Sequence, residues 1–348
     1  LEEVVITTQL LGQRKAVSQQ LNADAIVNVV SEDKIQELPD VNAAEAIARL
    51  PGIALNRSGG EGQKIVIRGM EPKFSAITVN GVRVPSNSSS DRSVDLSLIS
   101  PELLSGIEVF KSPLPDMDAE SSAGTVNLKL KKAPERTRVL VKGLGGYNHL
   151  NSDFGDYKGL LQFSSRFFDN KLGVMANATM ERFNRGGDEI SYSWSQGATD
   201  EETGITAIEG NVLTLEDVNE IRKRWNGSVN LDYDLGINHS LNFFGLFSRT
   251  GRDQFGVSNT YDPGEPAIGI SGSVIDNQLD MTTLQLGGDH TLGRVIVDWN
   301  VSSSTSHGTT PFDFTQNFTA VTIGGLFDPD MNRYGHPSTF LDGATLDA

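Results

Sequence analysis

The 348-residue sequence contains no cysteine. That excludes disulfide frameworks, zinc–thiolate centres and cysteine nucleophiles, and it suits an oxidising compartment in which no disulfide is needed. No stretch approaches the roughly 18 apolar residues that a membrane-crossing helix requires. Basic residues are scarce. The 29 Lys and Arg stand against 45 Asp and Glu, giving a net charge of −16, which argues against a nucleic-acid binder. Five histidines occur, His149, His239, His290, His307 and His336, and no two are spaced as a helical ligand pair. No metal cluster, cofactor motif or Ser-His-Asp arrangement is legible, so the sequence reads as a protein without catalytic residues, metal or cofactor. The lack of a spanning helix does not exclude a membrane, because β-barrels cross it with weakly apolar alternating segments. The chain starts at Leu1 without a charged and then apolar leader. The expectation is a removed signal peptide or a start inside a longer chain.

What is present falls into two halves. To about Ala133, helix and strand signals alternate. "DVNAAEAIARLPG" reads as a helix capped by Asp40, with Val41, Ala44, Ile47 and Ala48 along one face and Pro51-Gly52 as its stop. "KIVIRG" reads as a strand. "AITVNGVRV" reads as a hairpin with Asn80-Gly81 at the turn. "SPELLSGIEVFKS" predicts a capped helical turn from Ser100, with Gly106 leading into a strand over Ile107–Phe110. "GTVNLKLKK" is a further strand. Together they make a compact α+β domain.

Beyond it, the chain reads almost wholly as strands. Leu172, Val174, Ala176, Ala178 and Met180 oppose Asn177, Thr179 and Glu181, while Trp225, Gly227, Val229, Leu231, Tyr233 and Leu235 oppose Asn226, Ser228, Asn230, Asp232 and Asp234. Alternation over about ten residues suits a wall with lipid on one face and water on the other. Strands are expected near 136–148, 157–168, 171–183, 224–235, 240–250, 279–290 and 294–304. Long connections at 184–223, at 251–278 and after 305 alternate with short ones at 169–170, 236–239 and 291–293. Seven strands would leave two unpaired edges in lipid, so the expectation is a piece of a longer barrel.

Four stretches carry a family resemblance: "LEEVVIT", "VNAAEAIARLPGIALNR", "GQKIVIRGMEPKFSAITVNGVRVP" and "LISPELLSGIEVFKSPLPDMDAESSAGTVNLKLKK". In this order they resemble the TonB-dependent outer-membrane receptors of Gram-negative bacteria, loosely the subgroup common in scavengers of complex glycans. The resemblance implies a TonB box and linker at 1–20, an α+β plug domain at 21–133, and at 134–348 the first part of a transmembrane antiparallel β-barrel. The whole barrel would have about 22 strands. Glu3, Val4, Val5, Ile6 and Thr7 would form the TonB box, adding a strand to the TonB C-terminal domain, which the ExbB–ExbD motor drives indirectly. An ordinary first strand of the plug sheet is the alternative.

Other candidate residues are weighed against plainer readings. "RSGGEGQK" lacks phosphate-loop spacing and precedes a strand, so it reads as a loop. By resemblance, its Ser58, Gly59, Gly60 and Glu61 could face ligand. "DMDAES" and "DPDMNRYG" fail calcium-loop spacing and read as solvated acids. Arg68 and Glu108 are charges on short strands, and the resemblance implies that they make plug–barrel contacts. Tyr192 and Trp194, in an expected extracellular loop with Phe255, Tyr261, Phe312, Phe314 and Phe318 in others, are ligand-stacking candidates or loop-packing residues. The implied function is TonB-coupled uptake of a scarce, large ligand, a glycan first and an iron-siderophore second. Outer-membrane lipid, the extracellular ligand and a surface lipoprotein are the further partners. A passive structural or adhesion barrel and an outer-membrane enzyme are the rivals, and the latter lacks any legible nucleophile and base.

Overall fold

The structure is a computed structural model describing residues 16–321, apart from residues 19, 24, 38–41, 87–91, 113–116, 118–119, 150–151, 201 and 263–266. Glu3–Thr7, Asp40, Asp116, Asp118, His336 and the "DPDMNRYG" string therefore lie outside the described residues.

The N-terminal domain opens on β1 (Val27–Ser31), helix α1 (Glu32–Gln36) and helix α2 (Ala43–Ile47). Strands β2 (Ile53–Ser58), β3 (Glu61–Ile67), β4 (Ser75–Val79), β5 (Val82–Arg83), β6 (Leu104–Phe110) and β7 (Gly124–Leu130) follow. Five of them form one sheet in the order β1-β6-β7-β4-β5, while β2 and β3 make a separate hairpin. The β4–β7 pair is parallel, and β1–β6, β6–β7 and β4–β5 are antiparallel. The expected turn at Asn80-Gly81 is present, with φ of 48° and 85°. These left-handed values suit Asn and Gly.

Two local expectations are corrected. The helix predicted from Asp40 spans only Ala43–Ile47, and its cap is Asn42, whose side chain accepts from the Glu45 N–H. Asn satisfies an unpaired amide of the first turn as Asp would. The turn after Ser100 is a 3-10 turn, Pro101–Leu103, and β6 already begins at Leu104. Gly106 thus lies inside the strand rather than before it. A Cβ there would stand 3.2 Å from the Val30 carbonyl, so the pairing of β1 with β6 favours glycine at this point.

The core of the domain gathers Ile47, Ile67, Leu96, Leu104, Ile107 and Leu128, all nearly inaccessible. Burial of each such side chain contributes about 1.5–3 kcal/mol. Phe244, Leu246 and Met281, from strands described next, belong to the same cluster.

The remaining strands are β8 (Arg138–Asn148), β9 (Asp153–Phe167), β10 (Leu172–Asn184), β11 (Gly187–Thr199), β12 (Thr206–Gly236), β13 (His239–Tyr261), β14 (Ala267–Leu292) and β15 (Val295–Val321). They form one sheet in the order β15-β14-β13-β12-β10-β9-β8, with β11 also paired to β12. The pairing of β9 with β10 is regular: Leu172 opposes Phe167, and Arg182 opposes Tyr157. The alternation predicted for β10 is observed. Gly173, Met175, Asn177, Thr179 and Glu181 are buried, and the intervening Leu172 to Met180 set is the more exposed. On β12, Arg222, Arg224, Ser228 and Asp232 are buried while Trp225, Val229, Tyr233 and Leu235 are exposed.

The expected long loops are corrected. Residues 184–223 hold β11 and much of β12, residues 251–278 are largely strand, and β15 continues to Val321. Tyr192 and Trp194 therefore lie on β11, Phe255 and Tyr261 on β13, and Phe312, Phe314 and Phe318 on β15. Strands that are polar on both faces lose the hydropathy alternation on which the reading depended.

The chain divides into two compact units. Among the described residues, the first comprises 16–183, Arg222–Gly251 and Gln278–Thr309. The second comprises Asn184–Ile221, Arg252–Asn277 and residues 310–321. The second has a small apolar cluster of its own, Leu213 and Tyr261 with Tyr192, Leu215 and Ile268 packed on it.

Candidate functional site

Within the first unit, the N-terminal domain meets the strand wall through buried charge. The β2–β3 hairpin turns at Gly59 and Gly60, with φ of 55° and 71°, values glycine adopts without strain. The residue after the turn is Glu61, which is 1% exposed. Its carboxylate accepts from Arg222 Nη1 at 2.5 Å and from Arg224 Nη1 and Nη2, each at 2.6 Å. Arg222 and Arg224 are two apart on β12 and so point to the same face, and they are 1% and 2% exposed. Arg224 also reaches Glu181 of β10 at 2.8 Å and the Ser97 hydroxyl at 3.0 Å. An ion pair this far from water holds only when its hydrogen bonds are satisfied, and removing one partner typically costs about 3–5 kcal/mol.

Helix α2 holds the other side of Glu61. Asn42 Nδ2 donates to Glu61 Oε1 and to the Gly62 carbonyl, both at 3.1 Å. The Gly62 N–H donates to Glu45 Oε1 at 3.0 Å, and Glu45 also pairs with Arg57. A Cβ on Gly62 would lie 2.5 Å from Leu55 Cδ1 and 2.9 Å from Glu45 Oε1, so a larger residue here would displace the ends of both side chains.

A second contact lies at Glu102. It faces Lys142 of β8 at 3.8 Å and Lys158 of β9 at 3.9 Å, and it accepts from the Ser100 hydroxyl at 2.5 Å. Burial pushes the Glu102 carboxyl up, but Lys158, the Ser100 hydroxyl and Lys142 together outweigh it and hold the group below its ordinary value. Lys158 continues to Glu181 at 3.8 Å, which joins the two contacts. Where the domain runs into the wall, Arg166 Nε donates to the Ala133 carbonyl at 3.0 Å, and Asn230 Nδ2 to the Lys131 carbonyl at 2.6 Å.

The candidate residues from the sequence fall differently. Ser58, Gly59 and Gly60 form the accessible apex of the hairpin, but Glu61 is enclosed by the wall arginines and is corrected from a ligand contact to a domain–wall contact. Arg68 is corrected in the other direction. At φ 53° it donates to the carbonyls of Ser122 and Ala123, within its own domain. Glu108 is buried, and its Oε2 accepts from Asn127 and faces Lys129, both on β7. Tyr192 and Trp194 stand edge to face on β11, with ring centroids 4.1 Å apart, in the second unit. The sequence reading missed Asn42, Glu102, Arg222 and Arg224. The signal for the arginines was present, because "EIRKRW" carries the polar face of Asn226 and Ser228 upstream by two alternate positions.

A family profile for the TonB-dependent Receptor Plug Domain matches residues 19–126. Residues 19–126 are thus a plug domain of the kind that TonB-dependent receptors carry. The match takes in α1, α2, β1 to β6 and the start of β7, hence Asn42, Glu61 and Glu102. The vitamin B12 transporter BtuB of Vibrio vulnificus is 29% identical over 117 residues, 33% of this chain and 19% of that protein. The ferric enterobactin receptor PirA of Pseudomonas aeruginosa is 30% identical over 152 residues, 39% of this chain and 19% of that protein. The chain thus spans about one fifth of these relatives. Among solved structures, a mutant of the ferric enterobactin receptor PfeA from Pseudomonas aeruginosa aligns with 80% of this chain and 49% of its own, with a TM-score of 0.48 and 16% identity.

Proposed function

We propose that the chain is the plug-bearing part of an outer-membrane receptor that takes up a scarce ligand by TonB-coupled active transport. The observation that carries this reading is the plug domain itself, seated by Glu61 between Arg222 and Arg224. The plug meets the wall through these charged contacts and through Phe244, Leu246 and Met281, which join its apolar core. Passage needs displacement of the plug and no covalent chemistry. The exposed face of the wall, with Val139, Val141, Leu161, Phe163 and Val229, suits lipid. Energy would enter through Glu3–Thr7, paired as an added strand with the C-terminal domain of TonB.

A compact metal chelate of the ferric-siderophore or corrinoid kind is favoured over a glycan. The named relatives are a ferric enterobactin receptor and a vitamin B12 transporter, and none of the observed geometry calls for a sugar. Ser58, Gly59 and Gly60 at the plug apex are the proposed contact surface for the ligand. The test is uptake of radiolabelled ferric enterobactin, cyanocobalamin and maltooligosaccharide by cells carrying the full-length receptor, with and without TonB. Uptake of a metal chelate only in the presence of TonB is expected. Uptake of the oligosaccharide alone, or uptake independent of TonB, would overturn the proposal.

A further inference from the structure

We propose that the wall carries a binding site for the phosphate of a membrane phospholipid, formed at one end of its exposed apolar face by His239, His290 and Trp299. The inference rests on the reading that this face meets lipid. On β14, Leu284 and Leu286 are exposed and share their face with His290. On β15, Val297 and Val301 share theirs with Trp299, and on β13 Phe247 shares its face with His239. The three polar rings come together where the strands end, since β13 starts at His239, β14 stops at Leu292 and β15 starts at Val295. An apolar face that turns polar and aromatic at its rim is the pattern of a surface passing from hydrocarbon into the headgroup layer.

The hydrogen bonds of this cluster run in one direction. An indole N–H can only donate, and Trp299 Nε1 lies 3.0 Å from His290 Nε2, so that nitrogen accepts and carries no proton. The proton of a neutral His290 is then on Nδ1, which lies 3.2 Å from His239 Nδ1 and donates to it. His239 therefore keeps its own proton on Nε2. The series ends on one outgoing donor, and bonds in series polarise and strengthen one another. Gly288 allows the approach: a Cβ there would lie 2.9 Å from Trp299 Nε1 and 3.0 Å from His290 Nε2, both on stiff rings. With the His290 Nε2 and His239 Nδ1 lone pairs taken, the cluster suits an oxygen acceptor rather than a metal ion. Arg294, exposed in the turn between β14 and β15, adds positive charge at the same rim. Donors of this kind suit a phosphate oxygen, and the apolar face suits the acyl chains that a free phosphate lacks. His239 is the contact residue, and His290 and Trp299 are its positioning residues.

The experiment uses the full-length receptor purified in octyl glucoside, a detergent without phosphate. Retention of dioleoylphosphatidylglycerol and of dioleoylglycerol, which has the same chains and no phosphate, is counted by native mass spectrometry. NMR of isotope-labelled histidine reads which ring nitrogens are protonated, with signals assigned by their loss in His239→Phe and His290→Phe. Each variant is scored per amount of heat-modifiable, folded barrel. The expected result for the wild type is a severalfold preference for the phospholipid, with His290 protonated at Nδ1 and His239 at Nε2. His239→Phe keeps a ring, removes the donor and should bring the two lipids to parity. Trp299→Phe should lower the preference in part and let His290 populate both tautomers, a change that lost packing alone would not produce. Equal retention of the two lipids by the wild type, an unchanged preference in His239→Phe, or a proton on His290 Nε2 would overturn the site. Displacement of the phospholipid by an equal concentration of inorganic phosphate would show a free-anion site and overturn it as well. Quenching of a fluorophore on Ala178→Cys by a lipid-soluble quencher is recorded in the same preparation. Its absence would sink the lipid-facing reading of the wall, whereas its presence without a phospholipid preference would overturn the headgroup site alone.

Discussion

Glu102 and Lys158 face each other across the plug–wall boundary at 3.9 Å. The carboxyl is held below its ordinary value of 4.5, because Lys158, Ser100 and Lys142 outweigh the opposing effect of burial. A carboxyl lowered in the folded state contributes stability that is fully present above its unfolded value and is lost as pH falls through the folded one. Seating of the plug should therefore be constant from neutral pH down to about 4.5 and weaken below it. Glu102→Gln should flatten the dependence in that acid range. Protease sensitivity of the plug in the folded receptor, followed as pH is lowered, checks this; an unchanged acid limb in Glu102→Gln would remove Glu102 from the account.

Gly124 has φ +146°, and a Cβ there would lie 2.5 Å from the Phe110 carbonyl and 3.3 Å from Ile67 Cδ1. Gly124→Ala should destabilise the plug by about 1–3 kcal/mol, the usual cost of a side chain in this backbone region. Chemical denaturation of the isolated receptor should show an earlier plug transition with the barrel transition unmoved. Equal shifts in both transitions would mean that the two parts do not unfold separately.

Ala178 and Thr179 are neighbours on β10 with opposite surroundings. Thr179 is buried, with its hydroxyl accepting from Asn226 Nδ2 at 3.0 Å, and Ala178 is exposed. Fluorophores on Ala178→Cys should be quenched by lipid-soluble quenchers, and those on Thr179→Cys should not. The reverse pattern would invert the wall.

These particulars show what sequence could and could not reveal. The β10 alternation was legible because a wall buried on one face only imposes opposite demands on successive residues. The outer reaches of β11 to β15 were not, since strands that are polar on both faces resemble loops in hydropathy. The plug hairpin at Asn80-Gly81 was legible from turn chemistry. The role of Glu61 was hidden because "SGGEGQK" carries the grammar of a mobile loop, while its partners Arg222 and Arg224 are 161 and 163 residues away in the chain. Arg68 misled for the opposite reason: a strand charge invites a distant partner, but its positive φ turns the side chain onto nearby carbonyls of its own domain.

The most direct test of the central claim, energised uptake through the N-terminal segment, is a comparison of two proline substitutions. Val5→Pro removes a main-chain donor from "EEVVIT" and fixes φ, which should prevent strand addition to TonB. Val66→Pro places the same lesion in β3, where Val66 pairs with Ala54. Surface abundance, binding and uptake of radiolabelled ferric enterobactin are measured for both in the full-length receptor. The account predicts normal abundance and binding with uptake abolished for Val5→Pro, and reduced folded protein for Val66→Pro. Intact uptake in Val5→Pro, or loss of folded receptor from that substitution, would contradict it.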